Sequence, residues 1–174
     1  MWWSRRSILS IALLVLASCG FSPVYGPEGI GTALDGRILA DEPNSEEDYL
    51  LVRRLEEVLG RSSDPAFLLR YRIFTREESQ AITTTGDITR YNLIGTVRYD
   101  LIRRTDETLM TTGDVQNFTS YSASGSTVDT LSAERDALRR LMVILGDQLV
   151  AELYSTLDPA SLESASLESA SLSP

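Results

Sequence analysis

The feature that most constrains this sequence is a set of alternating segments followed by one long amphipathic segment. In residues 67–73, every second side chain is large and apolar, while Arg70 and Arg72 lie between them. A period of two is typical of a β-strand with one buried face. Residues 91–101 repeat the alternation, and residues 109–121 follow a polar turn as a strand that pairs antiparallel with them. A sheet with one apolar face has to be covered by helices, so the pattern predicts a layered α+β fold.

An amphipathic helix precedes these strands in the sequence. Residues 46–59 place apolar side chains at helical spacing, begin after a cap at Asn44 or Ser45, and stop before Gly60. Three acidic residues in the first turn lie where the helix dipole favours negative charge. Ahead of this helix, residues 34–40 predict a short first strand. The order at this end of the chain is therefore a strand followed by a helix.

The last regular segment is predicted as the longest helix. It begins with a cap at Ser126, Thr127 or Asp129 and extends for about 27 residues, roughly 40 Å at 1.5 Å per residue. Its apolar side chains recur at intervals of mostly three and four residues, at Leu131, Leu138, Leu141, Met142, Leu145, Leu149 and Leu153. Gly95 interrupts the apolar row of the middle long strand, which indicates a bulge or a close approach by a packed helix. The helix is long enough to cross the whole sheet.

Together these elements give the order β-α-β-β-β-α. The fold class is α+β, a two-layer sandwich in which two helices pack on one face of a mostly antiparallel four-stranded sheet, and the other face is polar. The domain is predicted over residues 31–157. Residues 158–174 repeat Ser-Leu-Glu-Ser-Ala, and this low-complexity composition favours a disordered tail over the alternative of a terminal amphipathic helix.

The amino-terminal segment has the features of an export signal. Residues 1–18 combine a positively charged start with an apolar stretch too short to span a bilayer as a helix. Residues 16–19, Leu-Ala-Ser-Cys, match the lipobox of bacterial lipoproteins, and this resemblance implies cleavage before Cys19 and a lipid on its thiol. Residues 19–30 would then be a lipidated linker, and a buried structural cysteine is the alternative. The general secretory route is favoured, while residues 4–9 also resemble a twin-arginine signal.

The composition disfavours several classes of function. All 16 basic residues are Arg, His is absent, and the formal net charge is −9. So acidic a chain is a poor partner for nucleic acid. The lack of His removes the side chain most used for general acid–base catalysis and for binding transition metals. No glycine-rich phosphate loop with a lysine and no Cys or His cluster is present in the sequence, so we expect no catalytic residues, no metal site and no cofactor.

Carboxylate pairs are the one pattern that could serve an enzyme. Examples are Glu46-Glu47, Glu56-Glu57 and Glu77-Glu78. Two carboxylates can catalyse glycoside hydrolysis. The first two pairs are predicted on a helix surface and the third in a polar loop after the second strand, with no cleft to separate their pKa values. A carboxylate-based envelope glycan hydrolase is therefore the weaker alternative.

The stretch after the lipobox carries a family resemblance. Residues 19–26, CGFSPVYG, resemble the mature start of the LptE lipoproteins in their alphaproteobacterial form. The resemblance implies a non-enzymatic lipoprotein on the periplasmic face of the outer membrane, and Gly20 after the anchor also favours that membrane. It further implies a one-to-one complex with the β-barrel LptD, in which the protein plugs the barrel, assists its assembly and helps to deliver lipopolysaccharide. A periplasmic scaffold lipoprotein with other partners is an alternative.

Arginines are the candidate contacts for lipopolysaccharide, because a guanidinium group binds phosphates and carboxylates in a bidentate manner. The candidates are Arg103 and Arg104 in the predicted hairpin turn, then Arg70, Arg72 and Arg98 on the polar strand faces. The alternative for each is an ordinary solvated surface arginine. Because the resemblance aligns residue by residue only at its start, Cys19 alone is transferred from the family as a functional position.

Overall fold

The computed structural model shows a four-stranded sheet with two long helices on one of its faces. Residues 24, 26, 29–82, 88–123, 126–157 and 162 are described. In chain order the helices and strands are α1 (Ile30–Leu34), β1 (Ile38–Ala40), α2 (Glu46–Leu59), β2 (Phe67–Ile82), β3 (Ile88–Arg103), β4 (Leu109–Ser122) and α3 (Thr127–Thr156). The predicted α+β order is therefore confirmed, with the short helix α1 added in front of it.

The sheet has the strand order β1-β2-β3-β4. β1 pairs with β2 in parallel, and the two pairs that follow are antiparallel. Val97 of β3 lies opposite Ile73 of β2 and opposite Val115 of β4. Because side chains alternate between the two faces of a strand, these three residues share the face that the helices cover. We call this the covered face.

The core lies between the covered face and the two helices. α3 packs across β3 and β4, and α2 packs beside α3. Fully buried side chains come from both layers, with Phe67, Leu69, Val97 and Leu101 in the sheet and Leu51, Leu141, Met142, Leu145, Leu149 and Leu153 in the helices. At about 25 cal/mol per Å² of apolar surface removed from water, this layer is the main source of stability.

The helix α3 approaches the sheet closely at Gly95. A Cβ atom at this position would lie 2.8 Å from Leu145 Cδ1 and 3.0 Å from Leu141 Cδ2. The pairing of β3 with its neighbours is regular through Gly95, so the close approach, and not a bulge, explains the glycine. Beside it, the Thr119 hydroxyl donates to the carbonyl of Ala137 over 3.0 Å and ties β4 to α3.

Both long helices begin at residues that the sequence indicates. The Ser45 hydroxyl accepts from a backbone N–H in the first turn of α2, and Ser126 and Asp129 form a capping box at the start of α3. α2 ends at Gly60, whose φ of 74° lies in the region that favours glycine. Local capping chemistry thus fixes the helix boundaries that the hydrophobic pattern alone leaves open.

The first strand is shorter than the sequence predicts. Of residues 34–40, Leu34 closes the helix α1 and the strand begins only at Ile38. Gly36, with a φ of 63°, turns the chain between them. Leu34 and Ile38 are both buried, and apolar residues on the two sides of a tight turn resemble one alternating strand in the sequence.

Two further predictions are wrong, one in β2 and one in α3. Glu77 and Glu78 lie in β2 and not in a loop, with Glu78 paired to Asn92 of β3. Backbone hydrogen bonds maintain this pairing, so charged side chains are compatible with it where they reach solvent. The sequence also predicts Leu131 on the apolar stripe of α3, but its side chain is 45% exposed. Leu131 lines a solvent-open depression beside the start of α2.

The ends of the chain fall mostly outside the described residues. The predicted signal peptide of residues 1–18 and the lipidation site Cys19 lie outside them, as does most of the linker of residues 19–30. In the predicted tail of residues 158–174, only Leu162 is described, and its side chain is buried against the core.

Candidate functional site

The candidate site is the face of the sheet opposite the helices, which we call the open face. It is formed by the even-numbered residues within 68–78, 90–102 and 112–122, together with Leu39 and Leu109. Its side chains are exposed or half-buried, whereas alternate residues in the middle of the sheet, such as Leu69, Val97 and Val115, are buried under the helices. The open face is therefore the part of the sheet that is available to a ligand or a partner.

Three guanidinium groups gather in the middle of the open face, and we call Arg70, Arg72 and Arg98 the arginine surface. Arg72 lies directly opposite Arg98. The arginine surface lines a depression of about 370 Å³ together with Asp41, Asp100 and Thr112. Among the described residues, no carboxylate forms an ion pair with any of the three. The three guanidinium groups are therefore not held in ion pairs, although acidic side chains lie near them, with Asp100 opposite Arg70 and Asp114 opposite Arg98.

The Arg72–Arg98 pair is electrostatically unfavourable, because like charges directly opposite on neighbouring strands repel. Arg98 gains a cation–π contact with Phe74, whose ring centroid lies 5.4 Å from the guanidinium carbon. Asp114 lies opposite Arg98 on β4, yet the two side chains form no ion pair. An anion bound in the depression would relieve the repulsion, so the geometry suits a phosphate or carboxylate ligand.

An apolar row borders the arginine surface on one side. It crosses all four strands at Leu39, Leu68, Ile102 and Leu109. Leu39 is 43% exposed and Leu109 is 53% exposed. The sequence predicts a polar open face, and this prediction is wrong for this row. The sequence alone does not reveal this row, because its members belong to four different segments of the chain.

A second apolar group borders the arginine surface on the other side. Ile94 and Phe118 lie directly opposite each other, and Phe74 is nearby on β2. Phe74 and Phe118 are both more than half exposed. The signal in the sequence was Phe74, which directly follows the apolar Ile73 and so interrupts the alternation. The open face thus has three arginines at its centre between two apolar groups.

The two arginines of the β3–β4 turn are placed differently from the other three. The Arg103 side chain is only 18% exposed, belongs to the covered face, and lies 3.3 Å from the Asp106 carboxylate. Arg104 is exposed, donates to the carbonyl of Pro65 over 2.9 Å, and lines a second depression of about 340 Å³ that also includes Arg70. Four of the five candidate arginines therefore lie on the open face or at its border, whereas Arg103 belongs to the covered face, although it also contributes to the lining of the second depression.

Two tyrosines of the covered face lie behind the arginine surface. Tyr71 and Tyr99 are directly opposite each other. Burial raises the pKa of Tyr99 to about 12, and the charges of Glu152 and Asp114 add to the effect. Burial also raises the pKa of Tyr71. Both hydroxyl groups therefore stay protonated at neutral pH, and neither supplies a base to the open face.

The carboxylate pairs do not converge on a catalytic site. Glu56 and Glu57 form ion pairs with arginines of α2 and of the turn after it. Glu77 accepts a hydrogen bond from the Tyr121 hydroxyl over 2.7 Å, and Glu78 pairs with Arg76. Within the described ranges, no group of three or more acidic, Cys or His side chains could hold a metal ion. No described helix has the length and apolar character needed to cross a membrane.

The fold is shared with solved bacterial lipoproteins. A lipoprotein from Caulobacter crescentus CB15 superposes with a TM-score of 0.62 at 16% identity, covering 72% of this chain and 93% of its own. Rare lipoprotein B from Shewanella oneidensis gives 0.54 at 15% identity, covering 69% and 93%. A minor lipoprotein from Acinetobacter baumannii gives 0.50 at 16%, covering 68% and 89%. No curated protein matches the chain. The fold is thus that of a class of small bacterial lipoproteins.

A family model places the chain more narrowly. The model described as LptE, lipopolysaccharide-assembly, matches residues 37–153, more than half of the chain. The chain belongs to the LptE family. This is a family of non-enzymatic, outer-membrane lipoproteins of lipopolysaccharide assembly. The match covers all four strands, α2 and nearly all of α3, and so confirms from the folded domain a resemblance first seen at residues 19–26.

Proposed function

We propose that this protein is a lipoprotein of the outer membrane, anchored on its periplasmic face by a lipid on Cys19. It assists the assembly of an LptD-like β-barrel, plugs that barrel in a one-to-one complex, and helps to deliver lipopolysaccharide to the cell surface. One observation carries the proposal, namely an arginine surface whose side chains form no ion pair in the described structure, set between two exposed apolar groups, on a domain of the LptE family.

The open face has the chemistry of a surface for an anionic lipid. Phosphate or acidic sugar groups would bind the guanidinium groups of Arg72 and Arg98 through charge-assisted hydrogen bonds. Acyl chains would cover the apolar groups on the two sides, which begin about 7 Å from the Arg72–Arg98 row at Phe74 and about 13 Å from it at Leu68, at roughly 3.3 Å per strand residue. Both parts of such a ligand are accommodated without any change in the fold.

The rest of the surface suits contact with a barrel interior. The lumen of a large outer-membrane barrel is polar, so a protein inside it has to present polar, hydrogen-bonding groups. The outer side of α2 and α3 carries exposed ion pairs such as Arg53–Glu57 and Arg139–Asp136. Lipid would then bind on the open face while the helices contact the barrel wall.

Binding of lipopolysaccharide tests the role of the arginine surface. Full-length lipoprotein in detergent should bind lipopolysaccharide about tenfold or more weakly after Arg72→Gln with Arg98→Gln, because charge-assisted hydrogen bonds are lost. The matched control is Arg53→Gln with Arg139→Gln, which removes the same charge from the helix side. An equal loss of affinity in both double variants would show that only net charge matters and would contradict the proposed site.

Purification from detergent-solubilised outer membranes tests the partner. The tagged protein should copurify with one large β-barrel in equal amounts, and its depletion should leave that barrel misassembled. Absence of the barrel, with other envelope proteins in its place, would favour the periplasmic scaffold. Cys19→Ala should move the protein from the membrane fraction to the soluble fraction, since stable attachment depends on the acyl chains. Mass spectrometry that finds an unmodified Cys19 thiol would contradict the anchor.

A further inference from the structure

The two edges of the sheet are protected to different degrees. One edge is formed by β1, which has three residues, and then by β2 beyond Leu69, which carries five charged side chains from Arg70 to Glu78. Short strands and charged side chains keep an edge from pairing with other chains. The opposite edge is β4, with 14 residues, no Pro and a single charged residue, Asp114. β4 therefore lacks the protection that the other edge has.

The hydrogen bonding of β4 shows which of its groups point outward. The Ala123 N–H donates to the carbonyl of Thr89 on the β3 side over 3.0 Å, and the pairing is regular from there back to Thr111. In an antiparallel pair, residues that exchange backbone hydrogen bonds alternate with residues that do not. The even-numbered residues from Thr112 to Ser122 therefore direct their N–H and C=O groups away from the sheet.

Part of this edge is already satisfied by side chains. The Phe118 N–H donates to the Asn117 side chain over 2.9 Å, and the carbonyl of Ser120 accepts from Arg140 over 3.4 Å. Both contacts lie toward the carboxyl end of β4. No described group bonds to the outward N–H and C=O groups between Thr112 and Gln116. The unprotected part of the edge is thus a five-residue stretch in the middle of the strand.

We propose that residues 112–116 of β4 bind an extended segment of the partner barrel by strand addition. This proposal rests on the proposed function for the source of the segment. Main-chain hydrogen bonds to Thr112, Asp114 and Gln116 supply the affinity, and side chains on alternate positions supply the specificity. A basic residue of the segment lies against Asp114, whose carboxylate has no ion-pair partner among the described residues.

The charge of the chain favours a different protein, and not a second copy of this chain, as the partner that pairs with residues 112–116. The formal net charge is −9, with 25 acidic residues against 16 basic ones, so two copies repel each other. Pairing of β4 with β4 would also bring two copies of Asp114 close together without supplying a basic residue, because β4 contains none. A neutral or basic segment of a partner meets neither obstacle.

Proline substitution at outward-facing positions tests the proposal. Thr112→Pro with Gln116→Pro removes two outward N–H groups and leaves the backbone bonds to β3 intact, since proline is tolerated on the free side of an edge strand; the side-chain hydrogen bonds of Thr112 and Gln116 to β3 are lost in this variant and in its control alike. The matched control, Thr112→Ala with Gln116→Ala, keeps both N–H groups. The full-length proline variant should copurify with the barrel at least tenfold less than the alanine variant, with a similar melting temperature by circular dichroism.

The outcomes separate this proposal from the proposed function. Equal recovery of the barrel with both variants overturns strand addition and leaves the barrel partnership intact. Failure of the unaltered protein to recover the barrel overturns both. A photo-crosslinking residue at position 116 provides a readout that does not depend on proline, with exposed Ser132 of α3 as the control position. A crosslink from position 116 to the barrel supports the proposal, whereas a crosslink to a second copy of this chain overturns it.

Discussion

The covered face and the open face are built from alternate residues of the same three long strands, yet they have opposite properties. On the covered face, Leu69, Val97 and Leu101 are fully buried against the helices. On the open face, their sequence neighbours Arg70 and Arg98 belong to the arginine surface, whose side chains form no ion pair in the described structure. The covered face therefore holds the fold together, whereas substitutions on the open face should leave the fold intact.

The largest expected difference in the free energy of unfolding is between substitutions of one apolar residue from each side of the sheet. Leu145→Ala, beneath the covered face, should lower the free energy of unfolding by about 2–5 kcal/mol, since it leaves a cavity where the side chain is fully buried. Phe74→Ala on the open face should cost well under half as much, because Phe74 is 51% exposed. Urea denaturation of both variants measures the difference. Equal losses would show that the open face is also part of the core.

Gly95 and Thr96, which are neighbours in β3, allow a sharper comparison of the covered face with the open face. Gly95→Ala should destabilise by about 1–3 kcal/mol, because the new Cβ would lie 2.8 Å from Leu145 and force a shift in α3. Thr96→Ala, on the open face, should change stability by less than about 0.5 kcal/mol. Thermal melting of the two variants tests this. A Gly95→Ala protein as stable as the original would mean that α3 adjusts freely.

The raised pKa of Tyr99, on the covered face, predicts that the protein loses stability at alkaline pH. Its pKa in the folded state is raised to about 12, mainly by burial, above the value of about 10 expected in the unfolded chain. Ionisation of Tyr99 therefore leaves the free energy of unfolding unchanged below pH 10 and lowers it as the pH rises toward 12, because the unfolded chain loses this proton first. Tyr99→Phe should reduce this alkaline loss.

At neutral pH the same variant, Tyr99→Phe, should be neutral or up to about 1 kcal/mol more stable. The Tyr99 hydroxyl is buried without a hydrogen-bond partner in the described structure, so its removal takes away an unsatisfied group. Urea denaturation at pH 7 and at pH 11 separates the two effects. A marked loss of stability at pH 7 would reveal a hydrogen bond to the hydroxyl that the structure does not contain.

The smallest expected effect has the opposite sign for stability and for binding. Arg72→Gln should raise the free energy of unfolding by a few tenths of a kcal/mol, because it removes a like-charge pair with Arg98. The same change should weaken lipopolysaccharide binding. Calorimetric melting and a binding titration on one preparation test both. A variant that loses stability and keeps its affinity would show that Arg72 has a structural role.

The sequence predicts the regular part of the fold well, because local signals agree with the global pattern there. The caps at Ser45 and Ser126 and the stop at Gly60 all lie at helix ends in the structure. The errors occur where neighbouring elements decide. Leu34 is helical because Gly36 turns the chain after it, and Leu131 is exposed because it lines a depression open to solvent.

The candidate site was predicted by residue type but not by arrangement. Arg70, Arg72 and Arg98 were expected on the polar strand faces, and the register brings them together. Arg103 was expected beside Arg104, but neighbouring residues of a strand point to opposite faces, and the end of β3 includes Arg103. The flanking apolar groups could not be predicted, because their members come from separate strands whose register a single sequence does not define.

The brevity of β1 has a mechanical consequence for an anchored protein. β1 is joined to β2 over three residue pairs, and among the described residues it is the first strand after the proposed anchor at Cys19. Tension applied through the lipid would reach the sheet by way of α1 and β1, where few hydrogen bonds resist it. The long hairpins that carry the arginine surface lie beyond this junction, so tension from the membrane would separate β1 from the sheet before it disturbed them.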